Sequence, residues 1–341
     1  MKAVFFDGPG RIRVSEVPDA RIVEPTDAVV RVTLSSICGT DLSGYHGHPV
    51  LPGPGAGHEF LGVVEDVGEQ VRLLRPGMLV VAPFMWSDGE CGPCRASITS
   101  ACEQGGMWGG EQAGGQAEAV RVPFADTTLV QLPMLADDER LPAVLTLADV
   151  MATGLHAIRT TRVFRGASVA VVGDGAVGLC ATLAAALAGA EQIILLSSHP
   201  GRARLGKLFG ATDHVPERGE PAHERVLDLT KGRGVDAALD CAGGGQPFHT
   251  AVAVTRPGGS VGVVGAPHPE GVDLTYRFLR NVTVTGGLTP ARVYLPYLLD
   301  ELLTGRLDPA AVFDLTVPLD DIATGYRAMA ERTAIKTLVR V

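Results

Sequence analysis

Two textures divide the hydrophobic pattern of this chain. From residue 1 to about 145, short β-branched runs such as DAVVRVTLSSI, FLGVVEDVG and GMLVVAPF are cut by Gly and Pro. Short strands at that spacing, with turn residues between them, predict a compact β-barrel-like domain. From about 150 to 285 the pattern alternates. SVAVVGDG, IILLS, VDAALDCAG and GSVGVVG read as buried strands; AVGLCATLAAALAGA, RARLGKLFG and QPFHTAVAV read as the helices between them. Strand and helix in alternation imply right-handed crossovers and an α/β, doubly wound parallel sheet. The tail contains YLPYLLDELLTGRL, a helix ended by Gly305.

Composition narrows the setting. The 341 residues are 46% hydrophobic and 20% charged, ample for two globular domains. A net charge of −9 leaves no basic stripe for a nucleic-acid partner. No apolar run reaches membrane-spanning length. The N-terminal MKAVFFDGPGRIRV alternates like a strand rather than reading as a signal peptide, so a cytoplasmic setting is expected. Six cysteines in a reducing compartment are then thiols or metal ligands before they are disulfides.

Directly after the strand SVAVV stands G-D-G-A-V-G, with Gly173, Gly175 and Gly178. A strand before it and a helix after it make this a dinucleotide-binding turn of the Rossmann type. Gly173 permits the tight turn, Gly175 lets backbone approach a pyrophosphate, and Gly178 lets helix and strand pack closely. The helix N-terminus offers its free N–H groups to the phosphates. An NAD site ordinarily ends its second strand with Asp or Glu for the ribose 2′-OH. Here IILL runs into Ser197-Ser198-His199-Pro200-Gly201-Arg202. Ser197 and Ser198 leave room for a 2′-phosphate, and His199, Arg202 and Arg204 offer donors or charge. That favours NADP over NAD, although Arg202 and Arg204 also fit as solvated helix charges.

Three further segments carry chemistry: Ile37-Cys38-Gly39-Thr40-Asp41, Gly57-His58-Glu59-Phe60-Leu61-Gly62 and Leu147-Ala148-Asp149-Val150-Met151-Ala152-Thr153-Gly154. Singly, Cys38 and His58 are ordinary. Together with the nucleotide fold and the closing IKTLVRV, they resemble the zinc-dependent medium-chain alcohol dehydrogenases over essentially the whole chain. The resemblance implies a GroES-like catalytic domain over residues 1–148, with 288–341 returning to it, and a Rossmann domain over 149–287. It implies Cys38, His58 and Asp149 as catalytic zinc ligands, the Asp being similar to an NADP-dependent secondary-alcohol branch. A thiolate, an imidazole and a carboxylate leave zinc's fourth position open, and the alcohol dehydrogenase site is itself a standard example of such an open site.

On the same resemblance Thr40 is the relay hydroxyl, Asp41 orients His58, and Glu59 is an alternative, transient ligand. For Asp41 and Glu59 a structural hydrogen-bonding role is an equal reading. Many relatives carry a relay His where this chain has Ser43; His46 and His48 lie nearby. Thr153, Val264 and Gly265 match positions beside the nicotinamide. Cys180 reads as core, Cys241 needs no chemistry, and Trp86 and Trp108 either narrow the substrate cleft or pack the lobe.

DGECGPCRASITSAC, Asp88 to Cys102, holds three cysteines where a closed zinc site wants four ligands. The family often spaces four cysteines C-x₂-C-x₂-C-x₇-C. Cys91, Cys94 and Cys102 fall on the last three places and Asp88 on the first, implying a structural zinc. Aligning Cys91 and Cys94 to the first pair instead leaves a broken site. The expected activity is hydride transfer between an alcohol, with secondary alcohols first, or its carbonyl compound and NADP(H). An NAD(P)-dependent polyol or sugar dehydrogenase is the alternative; a zinc-free reductase or a non-catalytic nucleotide-binding subunit stands further off. Relatives of this kind are commonly homodimers or homotetramers.

Overall fold

The computed structural model describes residues 1–49, 51–266 and 274–341. The chain divides into two compact units, Met1–Asp149 with Pro290–Val341, and Val150–Thr289.

In the first unit the strand Ala28–Ile37 is the hub. Its AVVRVTLSSI is buried at eight of ten positions, so both faces are covered. It pairs antiparallel with Phe60–Val67, Ala119–Val122 and Lys336–Arg340. The sheet continues through Leu79–Ala82 to Val130–Gln131 on one side and through Phe313–Pro318 on the other. Register decides the later chemistry: Ser35 lies opposite Phe60, and Ile37 opposite Thr337. The residues flanking those strand ends, Cys38, His58, Glu59 and Lys336, are thereby brought to one end of the barrel. The register is pinned at Gly62, where a Cβ would fall 2.0 Å from the Arg31 carbonyl oxygen. Phe60 packs edge-on against Trp108, which in turn packs against Trp86 at 4.9 Å between ring centroids. Both indoles therefore belong to the packing of this unit.

The second unit is a six-stranded, all-parallel sheet. Its spatial order is Asp213–Val215, Gln192–Leu196, Ser168–Val172, Val235–Asp240, Thr255–Val263, Thr283–Gly286. Numbered from Ser168–Val172 this is 3-2-1-4-5-6, the order that places a switch point, and a ligand crevice, beyond the carboxyl ends of the central strands. The helix Ala176–Leu187 follows the first of these strands and buries Cys180 completely. Thr153 is buried in the helix Val150–Thr160. The tail helix spans Ala291–Leu303, and Gly305 just beyond it takes φ +75°, a left-handed stop. Among the described residues no helix is long and apolar enough to cross a membrane.

Candidate functional site

The barrel end gathers Cys38, His58, Glu59 and Asp149, whose ligand atoms all lie within 4.8 Å of one another. Asp149 Oδ2 lies 3.5 Å from Cys38 Sγ and 3.3 Å from His58 Nε2. Thr40 Oγ1 is 3.4 Å from the same His58 nitrogen. On the other side of the ring, His58 Nδ1 faces Asp41 Oδ1 at 3.3 Å, which leaves Nε2 turned toward the cluster.

Asp41 is itself held in place. Its Oδ2 accepts from the Cys38 backbone N–H at 2.9 Å and from Gln116 Nε2 at 3.3 Å. Gln116 Oε1 accepts from the Tyr326 hydroxyl at 2.8 Å, and Tyr326 is fully buried. The chain Tyr326–Gln116–Asp41–His58 thus fixes the imidazole from behind. Neither Gln116 nor Tyr326 carries a motif, so spacing along the sequence had no way to find them.

Glu59 is wholly buried. Its Oε2 meets Lys336 Nζ at 2.5 Å and accepts from the Ser36 hydroxyl, while its Oε1 has no hydrogen-bond partner. Burial lifts the Glu59 carboxyl above its ordinary range, with Lys336 working against that. Burial disfavours charge on Lys336 too, but Glu59, Cys38 and Asp149 carry it above the usual lysine value. Burial and the neighbouring carboxylates push the Cys38 thiol up. A thiol, an imidazole and two carboxylates converging in a buried space, with one carboxylate oxygen unsatisfied, are a donor set that a divalent cation fits. Beside Thr40 and His58 lies a small cavity walled by Phe6, Leu51, Met107 and Trp108.

Asp88, Cys91, Cys94 and Cys102 form the second group of ligand atoms within 4.8 Å. Asp88 Oδ1 accepts from the Glu90 and Cys91 backbone N–H groups at 2.8 and 3.0 Å. Despite burial, those two bonds hold its carboxyl down at about 2. Burial, with the Cys91 and Cys102 sulfurs alongside, pushes the Cys94 thiol up to about 12. Three sulfurs crowded next to a committed carboxylate also suit a cation.

At the nucleotide turn, Gly173 adopts φ +117°, a conformation L side chains rarely take. A Cβ on Gly178 would sit 2.0 Å from the Gly173 carbonyl oxygen, whereas one on Gly175 would meet open space. Gly175 caps the helix Ala176–Leu187 with no side chain over its first N–H groups, leaving a cradle open to phosphate. Val264 and Gly265 follow the strand Thr255–Val263, and both their amides donate to the Asp240 carbonyl.

The end of the second strand differs from what its sequence suggests. No carboxylate follows IILL in sequence, yet Asp174, the middle residue of Gly-Asp-Gly, reaches it in space. Asp174 Oδ2 accepts from Ser197 Oγ at 2.6 Å and from His199 Nδ1 at 2.7 Å, and Oδ1 lies 3.4 Å from Arg202 Nη1. Burial disfavours its charge, but Ser197, His199 and Arg202 together hold the carboxyl below its ordinary value. Ser198 is engaged separately: its hydroxyl accepts from Arg218 at 2.7 Å. An acidic residue inside a phosphate-binding turn is the one signal in the sequence that could have pointed to Asp174.

Comparison with known proteins adds to this geometry. The alcohol dehydrogenase GroES-like domain family matches residues 24–134, and the zinc-binding dehydrogenase family matches residues 176–304. A probable zinc-binding alcohol dehydrogenase of Mycobacterium tuberculosis is 36% identical over 338 residues, covering 98% of this chain and 86% of its own. A glutathione-independent formaldehyde dehydrogenase of Pseudomonas aeruginosa is 30% identical, covering 95% of this chain and 94% of its own. Among solved structures, an alcohol dehydrogenase from Thermus sp. ATN1 superposes with a TM-score of 0.92 at 35% identity over the full length of both chains. A zinc-binding dehydrogenase from Sinorhizobium meliloti bound to NADP superposes with a TM-score of 0.84 at 27% identity, covering 100% of this chain and 99% of its own.

Proposed function

Because the chain belongs to the zinc-dependent medium-chain alcohol dehydrogenase family, we propose that it interconverts an alcohol, secondary alcohols first, and its ketone or aldehyde with NADP(H). The observation that carries this reading is the buried convergence of Cys38, His58, Glu59 and Asp149 beside the Thr40 hydroxyl.

Cys38, His58 and Asp149 would hold the catalytic zinc, with one position left for the substrate oxygen. Zinc held there supplies Lewis-acid polarisation of that oxygen, and the nicotinamide supplies the hydride chemistry. Thr40 relays the alcohol proton in oxidation, accepting it as its own hydroxyl proton passes on toward water, and runs the relay backwards in reduction, its hydroxyl lying next to the ligand cluster. Asp41 keeps His58 in the tautomer that turns Nε2 inward. Glu59 stands by as an alternative ligand, its free oxygen aimed by Lys336 and Ser36. Asp88, Cys91, Cys94 and Cys102 would hold a second, structural zinc.

The walls of the cavity beside Thr40 favour an apolar substrate over a polyol. Phe6, Leu51 and Met107 offer no polar group, and the Trp108 N–H is already donated to the Pro83 carbonyl at 2.8 Å. Against those side chains additional substrate hydroxyls would lose water without replacement, so the polar partners the cavity offers among the described residues are confined to Thr40, Asp41, His58 and glycine backbone. For the cofactor, the small Ser197 and Ser198, which leave room for a 2′-phosphate, support NADP, with His199 and Arg202 tied to Asp174 beside them. The Gly173, Gly175 and Gly178 turn takes the pyrophosphate, and Thr153, Val264 and Gly265 adjoin the nicotinamide.

The test is a panel of primary, secondary and polyhydric alcohols with their carbonyl partners, run with both cofactors. The reading expects the highest kcat/KM for apolar secondary alcohols with NADP. A dominant polyol activity overturns the substrate assignment, and a strong preference for NAD overturns the cofactor assignment.

A further inference from the structure

Resting on that NADP reading, the geometry points to Arg218 as the cation that binds the adenosine 2′-phosphate, with Arg202 serving in the frame beneath it. Sequence position favours Arg202, which follows the second strand directly. Its guanidinium, however, faces the Asp174 carboxylate, and both side chains are largely covered, at 14% and 13% exposed. The Asp174 charge offsets that of Arg202, so the pair presents little net charge to an incoming dianion. The same carboxylate holds Ser197 and His199. Asp174 is therefore a positioning residue that locks the end of the second strand.

Arg218 approaches from a different direction. It lies beyond the third strand, Asp213–Val215, and is exposed. It reaches back 20 residues to donate to Ser198 Oγ at 2.7 Å. No carboxylate among the described residues pairs with it, so its charge is not offset. A guanidinium anchored at one nitrogen keeps further N–H donors in a fixed fork, the arrangement that suits phosphate oxygens. Ser198, immediately after Ser197, brings this cation to the strand end where an NAD enzyme keeps its ribose-binding carboxylate. The subsite is thus assembled from Ser198 and Arg218 above a frame of Asp174, Ser197, His199 and Arg202.

Adenosine 2′,5′-bisphosphate and 5′-AMP separate the 2′-phosphate from the rest of the cofactor and can be titrated calorimetrically, without turnover. The wild-type chain should bind the bisphosphate more tightly. Arg218→Ala should weaken the bisphosphate about tenfold, the scale of one charge-assisted contact, and leave 5′-AMP within about twofold. Arg218→Lys should recover part of the loss, since it keeps the charge but not the fork. If the wild type prefers the bisphosphate and Arg218→Ala keeps that preference, the inference fails while the NADP reading stands. If the wild type binds the two ligands alike, the NADP reading fails and this inference with it. Arg218 is exposed, so its substitution leaves the fold intact for both titrations.

Discussion

Replacing Lys336 by Met tests how the barrel end is held together. Lys336 is 1% exposed and Glu59 is fully buried, with 2.5 Å between Nζ and Oε2. At that separation, and at the effective dielectric that suits buried sites, the gross attraction is about 7 kcal/mol. The charges also close as a set. Ionised Cys38, Asp149 and Glu59 carry three negative charges, against two from a zinc ion and one from Lys336. Removing the lysine leaves one buried negative charge uncompensated, and the Glu59 carboxyl recovers part of the loss by taking a proton. The net cost should be about 3–5 kcal/mol. In a chain of this size that lowers the thermal midpoint of the zinc-loaded protein by on the order of 5–10 °C. Lys336→Met combined with Glu59→Gln removes both charges at nearly constant volume. That double variant should regain most of the stability, ending within about 1.5 kcal/mol of the wild type. Thermal or denaturant unfolding of the four proteins completes the cycle. A single variant that loses less than about 1 kcal/mol, or a double variant no more stable than Lys336→Met, would refute the reasoning.

Tyr326→Phe leaves the buried Gln116 Oε1 without its donor and should destabilise by about 1–3 kcal/mol. Loosening the Gln116–Asp41–His58 chain should also raise the zinc dissociation constant, read by competition with a chromogenic chelator. Cys94→Ser should cut zinc from two ions per chain to one and lower the thermal midpoint; an unchanged metal content would return Asp88–Cys102 to an ordinary loop. Asp236 titrates below its ordinary value: burial opposes its charge, but the Ser168 backbone and hydroxyl and Arg256 outweigh it. A depressed carboxyl contributes stability above the unfolded pKa and loses it as pH falls through the folded value. Asp236→Asn should therefore be less stable than the wild type at neutral pH, with the gap closing below about pH 4. A gap that stays constant down to pH 3 would exclude this contribution.

The alternating texture of residues 150–285 already implied the parallel sheet, since buried strands and helices there differ plainly in period. Cys38 and Asp149 stand 111 residues apart, and motifs alone singled them out; the barrel ladder brings Cys38 beside His58, while the Phe84 amide, donating to the Ala148 carbonyl, ties down the segment that carries Asp149. What escaped the sequence is what supports those residues. Lys336 opens an apolar strand and carries no motif, yet with Thr337 opposite Ile37 it is buried and donates to the Ile37 carbonyl. Gln116 and Tyr326 lie 210 residues apart and meet only through packing. Asp174 hid in a variable place of the glycine turn, where steric rules constrain the glycines and leave the residue between them open. Arg218 carries no motif, and only the fold brings it beside Ser198.

The central claim is that Cys38, His58 and Asp149 hold a zinc ion that turnover requires. Its most direct test measures zinc per chain and NADP-linked alcohol oxidation together, in the wild type and in Cys38→Ser and His58→Ala. The wild type should carry two zinc ions and turn over. Each variant should stay folded, keep one zinc and lose activity. Full activity in a variant that has lost the zinc would contradict the claim.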